Sequence, residues 1–210
     1  MFKDHLQKKD AELVAEALKD ADAFGPIVER YEEKLLRYVR RFTGLSRQCC
    51  EDVVQEVFLK IYRNLNGFNP EMQFSSWAYR IAHNEAINYL RKNKQNVVPL
   101  ETDDDEMGDL LDVLHADVDI VGDTSKKELR GAVQEVLYAM PVKYREVLVL
   151  RYLEDLDYTS MGDVLKKSVG TIGTLLNRAK ENFKRTAQKK NYSFFQFSNE
   201  GFKEVRFGHH

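Results

Sequence analysis

The sequence predicts an all-α chain: an N-terminal helical bundle and a C-terminal helix-turn-helix domain, joined by an acidic linker. Three observations predict it. Apolar residues recur at i, i+3, i+4 and i+7 in almost every patterned segment, which is the spacing of a helix face. Gly and Pro punctuate that pattern and leave no clear strand before the tail. Residues 96–125 hold ten acids and no Lys or Arg, so the net charge of −2 divides into −10 there and +8 elsewhere.

The elements follow in order. Asp10 is placed to cap a helix carrying Leu13, Val14, Ala17 and Leu18. Asp22 is placed to cap the next, where Pro26 sits early and Ile27, Tyr31, Leu35, Tyr38 and Phe42 form a stripe that ends near Gly44. Ser46 caps a third through Val54, Val57, Phe58, Ile61 and Leu65, stopped by Gly67. The fourth, FSSWAYRIAHNEAINYLRKNK, carries two stripes. Phe74, Ala78, Ile81, Ala82 and Tyr89 face a core, while Arg80, Asn84, Ile87 and Arg91 line a second face. These four helices make a domain over residues 1–95.

Residues 96–125 are the linker, in which Leu110, Leu111, Val113 and Leu114 could form a short docked helix. A second helical domain spans 126–190. Val133, Val136, Leu137 and Met140 precede Pro141, Val142 to Leu153 follow, and two shorter pieces divide near Lys166, Lys167 and Ser168. The extension 191–210 is rich in aromatics and fits neither pattern. So many aromatics left in water would form an apolar patch, which predicts that the tail docks on the chain's own helical domains or on a partner.

Composition narrows the function. No run approaches eighteen apolar residues, and MFKDHLQKKD lacks the apolar stretch of a signal peptide, which predicts a soluble intracellular protein. Cys49 and Cys50 are adjacent and offer neither a disulfide framework nor metal-ligand spacing. His83 and His115 lie far apart, no phosphate-binding glycine loop occurs, and the acids Asp103 to Glu106 read as a solvated linker run. No catalytic residue, metal or cofactor is indicated.

Two constellations point to binding. Opposite the apolar stripe of the third helix lie Asp52, Gln55, Glu56, Leu59 and Arg63, either a solvated face with one stray leucine or a partner surface anchored by Leu59. In DYTSMGDVLKKSVGTIGTLLNRAKENFKR, Asp157 can cap a helix ending near Leu165 and Ser168 a second, with Ile172, Leu175, Leu176, Ala179 and Phe183 inward. That spacing suits a helix-turn-helix as well as an ordinary helical hairpin. Outward lie Thr171, Thr174, Asn177, Arg178 and Arg185, with Lys180 and Lys184 also in reach of phosphate.

EDVVQEVFLKIYRNLNGFNP…FSSWAYRIAHNEAINYLRK resembles the second conserved region of bacterial extracytoplasmic-function (ECF) sigma factors. MPVKYREVLVLRYLEDLDYTSMGDVLKKSVGTIGTLLNRAKENFKR resembles their fourth region, and the acidic linker between them fits as well. The resemblance covers residues 10 to 190. It implies that Asp52, Gln55, Glu56, Leu59 and Arg63 bind the clamp coiled coil of core RNA polymerase. It implies that Arg80, Asn84, Ile87, Asn88, Arg91 and Lys92 hold the melted −10 promoter element, where amides bond unpaired base edges and cations follow phosphates. It implies that Ser168, Thr171, Thr174, Asn177, Arg178, Lys180, Lys184 and Arg185 meet the duplex −35 element. It further implies a cytoplasmic factor silenced by an anti-sigma partner, and a Trp77 that mostly packs. Relatives commonly carry Lys at Gly173, Arg at Leu175, and Gly with an apolar residue at Lys166 and Lys167, so this chain departs from the pattern at the turn and on the second helix. Three rivals remain open on the residues: a helix-turn-helix regulator acting without polymerase, an RNA-processing enzyme holding Mg²⁺ on the acidic run, and a protein-interaction module.

Overall fold

The computed structural model describes residues 8–93, 118–120, 126–190 and 195–197. Lys94, the acids Asp103 to Glu106, Leu110 to Leu114, His115 and most of the tail aromatics lie outside them. The described residues fall into two compact units, one drawn from Met1–Leu100 and Thr159–Ser168, the other from Glu101–Tyr158 and Val169–His210.

In the first unit α1 (Asp10–Ala17) leads through a 3₁₀ turn (Ala21–Phe24) to α2 (Gly25–Thr43), α3 (Arg47–Asn64) and α4 (Phe74–Lys92). The first two caps differ from expectation. Lys9, not Asp10, is the N-cap of α1, and Glu12 returns to accept from its amide. Asp10 is instead spent on tertiary structure: it accepts from Arg30 at 2.7 Å and from the Tyr31 hydroxyl, tying α1 to α2. Asp20 rather than Asp22 caps the turn before α2, accepting from the Asp22 amide. Leu18 falls just past the end of α1 and is exposed, because the stripe it would continue stops with the helix.

The later boundaries follow side-chain chemistry. Gly44 ends α2 at φ 73°, a left-handed conformation that glycine adopts without a Cβ clash. The Ser46 side chain accepts from the Cys49 amide and starts α3. Leu13, Ile27, Leu35, Tyr38, Phe42, Val57, Ile61 and Ala82 form the buried centre. Tyr38 stacks on Phe42 at 5.8 Å, and its hydroxyl meets His83 Nδ1 at 3.2 Å. Burial pushes His83 down to about 4, so this imidazole is neutral at physiological pH. Trp77 is half-buried with its ring against Phe68 and Phe74, at 5.3 and 5.7 Å.

The second unit holds α5 (Lys126–Ala139), α6 (Val142–Leu148) and a π turn (Val149–Leu153). The sequence reads Val142 to Leu153 as one continuous helix. The π turn instead widens its last part, with the Glu154 amide reaching back to the Val149 carbonyl at 3.1 Å. Pro141 ends α5, and the buried Arg145 satisfies its last carbonyls, donating to Leu137 and Tyr138 at 2.9 Å and to Met140 at 3.3 Å. Of the next two helices, α7 (Tyr158–Leu165) falls in the first unit from Thr159 onward, and α8 (Val169–Lys189) falls in the second. They divide at Lys166, Lys167 and Ser168 as expected, and the second piece, α8, is longer than expected at 21 residues. Its inward residues Ile172, Leu176, Ala179 and Phe183 are buried, while Leu175 is only half-buried.

The fold class is all-α, with one small ribbon. Strand β1 (Val118–Ile120) of the linker pairs antiparallel with β2 (Phe195–Phe197) of the extension, in the register Val118↔Phe197, Asp119↔Gln196 and Ile120↔Phe195. The described part of the tail is therefore held by backbone hydrogen bonds to the acidic segment.

Candidate polymerase and promoter interfaces

The outward face of α3 follows from its inward one. Cys50, Val53, Val54, Val57, Phe58 and Ile61 are buried, which turns Asp52, Gln55, Glu56, Leu59 and Arg63 to solvent. Leu59 is 40% exposed and Tyr62, one turn on, is 46% exposed. Both line a groove of about 830 Å³ between α3, α2 and the 3₁₀ turn. Its floor is Phe24, Val28, Leu36, Val54 and Phe58, and Asp22, Glu32, Glu33 and Glu51 give it an acidic rim. Phe24 packs edge-on against Tyr62 at 5.2 Å, and Arg47 pairs with Glu51 at 2.8 Å.

Of the five residues singled out on α3, the groove takes in Gln55 and Leu59. Asp52, Glu56 and Arg63 are exposed beside it. Tyr62 and the α2 wall are absent from the sequence reading. Tyr62 was findable at i+3 from Leu59 and i+7 from Gln55, but the α2 wall needs knowledge of which helices are neighbours.

Helix α4 presents its second face less openly than its spacing suggests. Asn84 and Lys92 are exposed. Arg80 is half-buried, folds back to donate to Met72 Sδ at 3.0 Å, and leaves its Nε buried without a hydrogen-bond partner. Asn88 donates to Glu85 at 3.3 Å and accepts from Arg91, while Lys60 of α3 pairs with Glu85 at 2.6 Å. A network of amides and charges thus links the outer edges of α3 and α4, and Ile87 is half-buried. Ile81 and Tyr89, expected in the core, are half-buried too, and the deepest positions on this stripe are Ala78, Ala82 and Ala86. Tyr89 hydrogen-bonds Cys49, which raises its hydroxyl to about 12. Burial raises the Cys50 thiol to about 12, so it stays protonated and poorly nucleophilic.

Between α7 and α8 the chain turns over three exposed residues, Lys166, Lys167 and Ser168. Lys166 lies at φ 52°, a left-handed conformation that costs a residue with a Cβ roughly 1 kcal/mol. The Lys167 amide closes the turn by donating to the Gly162 carbonyl at 3.0 Å. Beyond it Thr171, Thr174, Asn177, Arg178 and Arg185 are exposed as expected, with Glu181 among them, while Lys180 and Lys184 are half-buried. Lys180 Nζ stands 5.8 Å from the Tyr152 ring centre.

Two family models match this arrangement: Sigma-70 region 2 over residues 27–96 and Sigma-70 region 4 over residues 130–183. The ECF RNA polymerase sigma factor SigW of Bacillus subtilis is 33% identical over 79% of this chain and 89% of its own length. The chain belongs to the ECF sigma factors of RNA polymerase. The ECF RNA polymerase sigma-E factor of Escherichia coli K12 is also 33% identical, over 83% of this chain and 92% of its own.

Solved structures share the fold of this sigma factor. CnrH in complex with the cytosolic domain of CnrY has a TM-score of 0.62 at 22% identity, covering 86% of this chain and 97% of that one. RpoE in complex with the anti-sigma factor NepR, from Bartonella quintana, has a TM-score of 0.56 at 17% identity, covering 79% and 96%. As an alternative sigma factor, the chain binds core RNA polymerase and directs promoter recognition and transcription initiation. No helix among the described residues is long and apolar enough to cross a membrane.

Proposed function

We propose that this sigma factor docks on the clamp coiled coil of core polymerase through α3, holds the melted −10 strand on α4 and reads the duplex −35 element with α8. Residues 1–95 and 126–190 are then its two working domains. The observation that carries this reading is the α3 groove, an apolar floor with an acidic rim and Leu59 and Tyr62 at its lip. Such a surface suits a basic amphipathic helix, whose apolar residues enter the groove while its cations meet the rim. The protein works by binding alone, in the bacterial cytoplasm, without catalytic residue or cofactor. An anti-sigma protein covering the same α3 lip would silence it by excluding polymerase.

On α4, Asn84 is the exposed amide best placed to bond an unpaired base. Asn84→Ala should leave core binding unchanged and lower open-complex formation roughly tenfold, the size of one lost base contact. Charge removal at Lys92 should weaken binding more evenly across promoters. If a promoter with a premelted bubble binds Asn84→Ala as tightly as the wild type, Asn84 does not read the base.

A further inference from the structure

Helix α8 carries no Lys or Arg from Val169 through Asn177, and its first cation is Arg178. Cations flank this stretch instead: Lys166 and Lys167 in the turn before it, and Arg178 and Arg185 exposed on the helix beyond it. We propose that this sigma factor reads its −35 duplex through thymine methyls and adenine edges, with Val169, Thr174 and Asn177 setting specificity. The proposal rests on α8 being the helix that enters the major groove. Residues near the start of such a helix contact the bases. Guanine is read there by a bidentate Arg or Lys, which this stretch lacks.

What the stretch offers is a different chemistry. Val169 is 50% exposed, among the few large apolar side chains on the described surface, and its branched end matches the C5 methyl of thymine. Thr174 donates its hydroxyl proton to the Gly170 carbonyl at 3.0 Å, which leaves a methyl and an oxygen acceptor for a base. That pair suits an adjacent thymine methyl and adenine amino group. Asn177 is exposed, and its amide can pair with the N6 and N7 edge of adenine.

The glycines of α8 point the same way. A Cβ on Gly170 would meet nothing within 4 Å, and one on Gly173 would meet only a Tyr158 ring carbon at 3.8 Å, an ordinary contact. Neither has a positive φ. Gly173, in the helix interior, therefore costs stability of order 1 kcal/mol with no need for it inside the protein. Close approach of the α8 backbone to the groove floor supplies the need, because short side chains such as Val and Thr reach base methyls only when the backbone comes near.

The test uses holoenzyme assembled from core polymerase and the full chain, with promoter duplexes randomised across the −35 positions. A·T pairs should be selected at the positions facing α8. Replacing a selected thymine with uracil removes only the methyl and should weaken binding about fourfold per contacted methyl. In Val169→Ala, exposed and so expected to fold, the uracil penalty should vanish at one position while the salt dependence stays as in wild type. Asn177→Ala should lose an adenine preference of roughly tenfold at another position. Selection of G·C pairs there, or equal affinity for thymine and uracil duplexes, overturns the thymine reading and leaves α8 as the recognition helix. A library with no −35 preference overturns both.

Discussion

Leu59→Asp is expected to abolish association with core polymerase while leaving the helical domain folded. Leu59 is 40% exposed, so its loss removes little from the core, and exposed substitutions usually move stability by about 0.5 kcal/mol or less. At the interface the change acts twice. It deletes the apolar side chain at the lip of the groove, and it adds a carboxylate beside a rim that already holds Glu51, Glu32 and Glu33. Central apolar anchors are typically worth about 2–4 kcal/mol, and burying an unpaired charge costs several more. A loss of at least a thousandfold follows, which a pull-down with purified core enzyme reads as absence. Changing Asp52 and Gln55 together should act in the same direction. Undiminished binding with unchanged helicity would refute the assignment of α3.

The second large effect is predicted at Gly162. Gly→Ala inside a helix ordinarily stabilises by about 1 kcal/mol. Here a Cβ would stand 2.7 Å from the backbone carbonyl oxygen of Lys167, and a backbone atom cannot swing aside as a long side chain can. The turn into α8 would have to open, breaking the bond from the Lys167 amide to the Gly162 carbonyl. Overpacking of this kind costs about 1–3 kcal/mol, so the sign of the usual substitution reverses. Gly162→Ala should therefore melt earlier and lose −35-dependent transcription, yet still bind core polymerase through α3. A melting temperature equal to or above the wild type's would show that the turn has room.

How much of this was legible in the sequence depends on range. The stripes of α2 and α3 were, because Ile27, Tyr31, Leu35, Tyr38 and Phe42 repeat at helical spacing and all are buried. Gly44 and Ser46 were, since their roles at helix ends are local. Asp22 was misjudged because the competing cap Asp20 begins a 3₁₀ turn whose period differs from the helix that follows. The pairing of β1 with β2 could not be read at all: three-residue strands carry no usable period, and their partners lie far apart in the chain. The outward residues of α3 and α8 were legible as the complement of a buried stripe. The groove was not, because half of its wall belongs to another helix. Nor was the bending of Arg80 onto Met72, which a wheel projection places on an open face.

Run-off transcription with purified components tests the central claim most directly. Core polymerase on a duplex promoter template should give transcripts from a defined start only when the full chain is added, and Leu59→Asp should give none. Transcript patterns identical with and without the chain, at concentrations where it binds core polymerase, would contradict its action as an initiation factor.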